Sequence, residues 1–584
     1  MTADQRRAKA RPTGPPRVAD FIVEHLAAIG VQHLFGVDGA NIEDLYDAAH
    51  FNAAVTAILA KHEFSAATMA DGYSRSGAGL GVVMATSGGG CLNTVAGLGE
   101  SLASRVPVLA LIGQPPTALD GRGAFQDTSG CNGALNGEAL FSAVSVFCTR
   151  IAEPGEIVSA LPQAIAAART GGPAVLLLPK NVQQAEVPAN GAGEMIELNG
   201  QIGDPYPIAR ALRCAAGPVT IIAGEQVARD DARSELEQLR AMLRARVATV
   251  PDAKDVAGIP GLGTSSGLGV TGVMGHPSVA AALADSALCL LVGARMSLTA
   301  RAGLEEALAA VPTYSIGSAS PYVPCTHVHT DNLRGSLALL TLALTGHGRA
   351  AGVRVPDLVL RKELVPPVYE GPGIRYREAM RTLDAALPDG VDIVVDAGNV
   401  GASAVHYLPV RRGGRFIVAL GMGGMGYAFG AGVGMAFARK RRTVVIAGDG
   451  AFYMHGMEIH TAVQYRLPMT FLLFDNHAHA MCVTREQLLY DDLYSYNRFG
   501  PSRLGAGLAT MFPELPSADV DHIDELPEAL QTALDVDGPS VISVECSADE
   551  IPPFAPFLGK NAPNTASAGS HPIVKENNHV VARA

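Results

Sequence analysis

Short runs of Val, Ile, Leu and Ala recur along this chain, and helix-patterned stretches separate them. Gly81–Thr86, Val108–Gly113 and Ala174–Pro179 form one set, Val219–Ala223 and Leu288–Val292 a second, and Ile393–Val395, Thr443–Ala447 and Met469–Phe474 a third. Runs without polar alternation predict strands buried on both faces, as in parallel sheets. The runs fall into three blocks, 16–187, 204–346 and 375–556. Between them lie the Gly/Asn-rich stretch Pro188–Gly203 and a second linker holding Pro356, Pro366, Pro367 and Pro372. Strand and helix signals alternate within each block, which predicts an α/β architecture of three doubly wound parallel sheets with helices on both faces. The tail beyond Pro556, rich in Asn, Ala, Ser and His, is expected to be mobile.

Composition narrows the class. A chain of 584 residues should hold roughly three to four domains. Apolar residues at 48% with 17% charged suit large cores, and a net charge of −12 argues against a nucleic-acid partner. No apolar run approaches the ~18 residues of a membrane span. The basic start, Arg6 to Arg11, has no apolar stretch behind it that resembles a signal peptide and reads as a disordered tail. The eight cysteines lack CxxC spacing and read as reduced core residues of a cytoplasmic protein, not disulfides or zinc ligands.

Chemistry concentrates in the third block. Thr443–Ala447 leads into Gly448-Asp449-Gly450, a helical stretch Met457–Leu467 follows, Pro468 closes it, and the next run ends at Asp475-Asn476. This is a βαβ unit with Asp449 and Asn476 at carboxyl ends of two strands. If those strands are neighbours they lie ~5 Å apart, and both side chains can reach one hard cation. The flanking glycines leave backbone N–H groups free beside a helix start, which suits phosphate.

This motif resembles the thiamine-diphosphate signature, GDG followed after some two dozen residues by an Asn pair, except that Asp475 stands where the first Asn is usual. The resemblance implies Mg2+ on Asp449, Asn476 and the Ala478 carbonyl. It carries over Gly398, Asn399, Gly448, Gly450, Ala451 and Met481 as further cofactor-binding residues. Gly421–Tyr427 matches the family's glycine-rich stretch, implying that Met425 props the cofactor in its bent form and the Gly423 carbonyl receives its amino group. In the first block Lys61-His62-Glu63, Ala70-Asp71-Gly72-Tyr73 and Thr86-Ser87-Gly88 resemble the pyrimidine-binding domain, with Gly89 where the family has proline. Glu63 would then share a proton with the aminopyrimidine ring, helped by an apolar pocket that raises proton affinity.

The order of motifs is similar to the acetolactate synthase-like branch, notably Phe35-Gly36-Val37 and Gly123-Ala124-Phe125-Gln126-Asp127. Phe125 and Gln126 either face the substrate or sit in a subunit interface. No His-His pair occurs between Gly113 and Leu140, which argues against a simple decarboxylase. Arg485 aligns where anabolic synthases carry Trp, and either binds an acidic acceptor or is a solvated helix residue. His477 and His479 are candidate proton carriers or helix-capping groups. The central block resembles the flavin-binding domain only at Gly272–His276 and Gly293–Met296. It lacks the acidic pair after Arg295, so FAD is doubtful and a structural central block is the reading. The resemblance implies a thiamine-diphosphate carboligase that decarboxylates a 2-oxo acid, pyruvate first, and adds the acyl unit to a carbonyl acceptor. It also implies a homodimer or homotetramer. A decarboxylase or C–C lyase, and a non-catalytic regulatory homologue, are the alternatives.

Overall fold

The computed structural model describes residues 16–188, 200–257, 267–345 and 361–558. Three all-parallel sheets form. The first holds β1 His33–Val37, β2 Thr56–Leu59, β3 Gly81–Ala85, β4 Val108–Gln114, β5 Phe147–Arg150 and β6 Pro173–Pro179, in the order β2-β1-β3-β4-β6-β5. The central sheet holds β7 Val219–Ala223, β8 Arg246–Thr249, β9 Leu288–Val292, β10 Thr313–Gly317 and β11 Thr326–His329, in the order β11-β10-β9-β7-β8. The third holds β12 Asp392–Val395, β13 Phe416–Val418, β14 Thr443–Gly448, β15 Met469–Asp475, β16 Ser517–Val520 and β17 Ser540–Glu545. Its order, β13-β12-β14-β15-β17-β16, repeats that of the first sheet.

The uninterrupted apolar runs have a direct cause: every residue of β3, β4, β6 and β15 is buried, because helices cover both faces. β14 does lie beside β15, with Gly448 in register with Phe474. Among the described residues no helix is long and apolar enough to cross a membrane.

The first and third blocks join through helices Glu63–Arg75 and Tyr427–Arg439. Their backbones almost touch: a Cβ on Gly72 would lie 2.2 Å from the Ala431 carbonyl oxygen, and one on Gly434 would lie 2.0 Å from that of Met69. Glycine is the residue that permits such an approach. The contact is pinned by charge. Tyr427 Oη donates to Asp71 at 2.5 Å, and Asp71 also receives Arg75 Nε at 2.6 Å and Ser101 Oγ at 2.8 Å, all in the interior.

Two expectations need correction. The helix after the GDG motif begins at once, as Asp449–His455, and resumes as Ile459–Gln464 after a 3-10 turn over Gly456–Glu458, not as one stretch Met457–Leu467. Asp449 therefore sits in a first helical turn. The eight cysteines are unpaired, but only Cys91, Cys289 and Cys546 are core residues; Cys131, Cys214 and Cys482 are exposed. The basic start, most of Pro188–Gly203, Pro356 and nearly all of the tail beyond Pro556 lie outside the described residues.

Candidate active site

Three helices begin at the carboxyl edge of the third sheet. Asn399–Tyr407 follows β12, Asp449–His455 follows β14, and Ala480–Leu489 follows β15. Their first turns, with Met425, line one cavity of about 70 Å3. Gly398, Asn399, Gly448, Asp449, Gly450, Ala451, Asn476, Ala478, His479 and Met481 all face it. The backbone N–H groups of helix first turns have no partner within their helix, and together they favour an anion. Gly450 keeps the cavity open, since a Cβ there would lie 2.6 Å from His479 Nδ1 and 3.2 Å from Met425 Cε.

The cavity also holds a buried carboxyl group with one oxygen unsatisfied. Asp449 is 1% exposed; its Oδ2 accepts the Ala478 N–H at 3.1 Å, while Oδ1 is buried without a hydrogen-bond partner. Burial, and next the facing Asp475 carboxylate, raise the Asp449 carboxyl well above the usual range. Asn476 Oδ1 accepts the same Ala478 N–H at 3.1 Å. A buried carboxylate oxygen with no donor is costly unless a cation meets it, so the donor set fits a hard dication such as Mg2+.

Asp396 shapes the far wall from behind. It accepts N–H groups from Gly426 at 3.0 Å, Ala428 at 2.8 Å and Ala397 at 3.0 Å. It thereby caps the Tyr427–Arg439 helix from another strand and holds the turn that carries Met425. Burial still pushes its carboxyl up to about 6. Gly423 is exposed, with φ +67°, and does not line the cavity.

The first-block residues gather elsewhere. Glu63, 9% exposed, opens its helix and accepts Asn93 Nδ2 at 2.9 Å. A Cβ on Gly90 would lie 3.1 Å from its Oε1. Gln126, at φ +62°, packs on Gly88 and accepts Ser87 Oγ at 3.4 Å. Its neighbour Phe125 is 83% exposed. None of these residues lines the third-block cavity.

Besides Asp71, two further carboxylates tie the halves together, and sequence reasoning missed both. Glu458 Oε1 accepts the N–H groups of Lys61 at 2.7 Å and His62 at 3.2 Å, which fixes the turn entering Glu63. Glu100 accepts those of Gly421 at 3.1 Å and Met422 at 2.6 Å. A glutamate inside an otherwise apolar helix, Gly97-Leu98-Gly99-Glu100, was the available signal for the second.

Arg485 is exposed on its helix and does not line the cavity. His479 does, with a buried Nδ1 that lacks a partner and a ring edge-on to Phe499 at 4.8 Å. His477 sits at φ +53°, its Nε2 3.1 Å from Glu545. In the central block His276 stacks on His406 at 4.4 Å, and Arg295 pairs with Glu225 at 3.5 Å.

Three family models match the chain in order. They are the N-terminal TPP binding domain of thiamine pyrophosphate enzymes over 16–132, the central domain over 207–314 and the C-terminal TPP binding domain over 396–544. A probable acetolactate synthase large subunit of Methanocaldococcus jannaschii is 28% identical, over 93% of this chain and 94% of that protein. The acetolactate synthase isozyme 2 large subunit of Escherichia coli is 27% identical, over 94% of this chain and 98% of that protein. In fold, the crystal structure of benzoylformate decarboxylase from Polynucleobacter necessarius superposes with a TM-score of 0.76 at 18% identity, over 92% of this chain and 100% of that one.

Proposed function

Because the chain belongs to the thiamine pyrophosphate enzymes, in their acetolactate synthase-like branch, we propose that it decarboxylates a 2-oxo acid, pyruvate foremost, and joins the acyl unit to a second carbonyl compound. The observation that carries this reading is the convergence of three helix N-termini and the partnerless Asp449 Oδ1 on one cavity. The first turns at Asn399, Asp449 and Ala480 would hold the diphosphate. Asp449, Asn476 and the Ala478 carbonyl would hold Mg2+. When bound, thiamine diphosphate supplies the electron sink that loss of CO2 from a 2-oxo acid requires.

The chain's own groups do the rest. Glu63 holds a proton for the cofactor's pyrimidine ring, and Asn93 fixes its second oxygen. Met425 and Gly450 set the width of the cavity, and Asp396 holds Met425 in place through the turn behind it. Phe125 and Gln126 bound the substrate from the first block. His479 Nδ1, buried and unpartnered beside Gly450, is the proton carrier for the acceptor oxygen. That same imidazole supports the second reading, a decarboxylase that releases an aldehyde.

A cavity of about 70 Å3 is far below the ~300 Å3 of a typical organic-ligand pocket. It has room for a cation and phosphate, and Glu63 lies outside its lining. That small volume supports the reading the resemblance implies, in which the first block of another copy supplies the remainder of the site, in a homodimer or homotetramer. The central block serves as structure without FAD: its Gly272–His276 turn is engaged by His406, whose Nδ1 faces the Met274 carbonyl at 2.9 Å. Arg485 is left as a solvated helix residue. Incubating the protein with thiamine diphosphate, Mg2+ and pyruvate should give acetolactate, and the protein should show no flavin absorbance. Acetaldehyde as the sole product would favour the decarboxylase, and no pyruvate consumption would remove both readings.

A further inference from the structure

At the edge of the cofactor cavity, Asp449, Asp475 and His477 bring one potential ligand atom each within 4.8 Å of the others. Asp449 Oδ1, Asp475 Oδ1 and His477 Nδ1 are buried atoms without a hydrogen-bond partner. His477 Nδ1 stands 3.1 Å from Asp475 Oδ1. Adjacent ligands of a six-coordinate ion are about 3.0 Å apart when its bonds are ~2.1 Å long.

The surroundings orient these atoms. Asp449 Oδ2 accepts the Ala478 N–H at 3.1 Å and Asp475 Oδ2 accepts Ser502 Oγ at 2.8 Å, so neither Oδ1 accepts a hydrogen bond and that of Asp475 faces the His477 ring. On the far side of the ring, His477 Nε2 lies 3.1 Å and 3.2 Å from the two Glu545 oxygens. A carboxylate on the outer nitrogen of an imidazole is the usual way a metal-binding histidine is held and kept basic. His477 sits here at φ +53°, in the left-handed region that few residues other than glycine, Asn, Asp and His adopt. Asp475, 2% exposed, is also the residue that departs from the usual Asn pair.

We propose that Asp449, Asp475 and His477 form a cation site that takes a first-row transition dication in preference to Mg2+ and fills without thiamine diphosphate. An imidazole nitrogen among the ligands sets the preference, since Mg2+ favours oxygen donors while Mn2+, Co2+ and Zn2+ accept nitrogen as well. Asp449 is common to this set and to the one completed by Asn476 and Ala478, and the two sets differ in every other member. The site does not depend on the carboligase reading.

The test uses the full-length, metal-stripped protein without thiamine diphosphate, titrated with Co2+ or Mg2+ by calorimetry and, for Co2+, by visible absorption. Co2+ should bind at one equivalent per chain, roughly 100-fold tighter than Mg2+. Asp475→Asn and His477→Gln should each weaken Co2+ roughly 10–100-fold, and Glu545→Gln about tenfold. Asn476→Ala should leave it unchanged. Equal affinity for Co2+ and Mg2+, wild-type affinity in both Asp475→Asn and His477→Gln, or an equal loss in Asn476→Ala would each overturn the proposal. Pulsed EPR of the Mn2+-loaded wild type avoids any folding defect of the variants: a nitrogen coupling from a bound imidazole is expected, and its absence overturns the site.

Discussion

The first and third sheets share one strand order but end in different chemistry. At the carboxyl ends of β3 and β4 stand Thr86, Ser87 and Gln114, all neutral and buried. At the matching ends of β14 and β15 stand Asp449 and Asp475, buried and facing each other. The first block places the carboxylate of Glu63 at the helix start after β2, where the third block has the turn that leads through Met425. A doubly wound sheet offers the same crevice each time. Side chains at the strand ends make one crevice neutral and the other rich in carboxyl groups.

Glu63→Gln gives the widest separation of the two blocks. Carboligation should fall roughly 10²–10⁴-fold while calorimetric cation binding to the third block stays at the wild-type level. A cation affinity that falls alongside activity would show that the blocks are not chemically independent. Gly450→Ala tests the third-block crevice. Its Cβ would overlap His479 Nδ1, at 2.6 Å, and overpacking of about 1–3 kcal/mol should weaken thiamine diphosphate about 10–100-fold by fluorescence titration. Ala at Gly89, beside the corresponding first-block turn, has open space around its Cβ and should cost little.

Tyr427→Phe probes the seam between the blocks. Removing the hydroxyl leaves the buried Asp71 short of a donor, at a cost of about 1–3 kcal/mol read from the urea midpoint. The smallest effect is expected from His455, which stacks on Phe64 across the same seam at 4.3 Å. Burial, then His62, lower it from 6.5 to about 4. The folded state therefore binds fewer protons than the unfolded state between those values, so stability is complete above about 6.5 and declines as pH falls toward 4. Melting curves of His455→Gln should show a shallower decline over that window, and an unchanged slope would exclude this residue as a contributor.

Periodicity alone located the three sheets, because strands buried on both faces must be written as unbroken apolar runs. The GDG motif and Asp475-Asn476 were legible for a related reason: loops at strand ends carry their chemistry in consecutive residues. Glu458, Glu100 and Asp396 were harder to see. Each acts by accepting N–H groups from a segment distant in sequence, or from another strand's loop, and a carboxylate that holds backbone has no spacing rule to betray it.

The amino-acid order by itself thus settled the layered α/β class, the thiamine-diphosphate signature and most of the cavity wall, since these depend on local pattern. Folding alone decided that Arg485 points to solvent, that Glu63 stands apart from the Asp449 cavity, and that Asp475 and His477 meet beside Asp449 with Glu545 behind them. Such convergence depends on which strands become neighbours and on which side-chain atoms other donors have already occupied, and neither is written in any single stretch of chain.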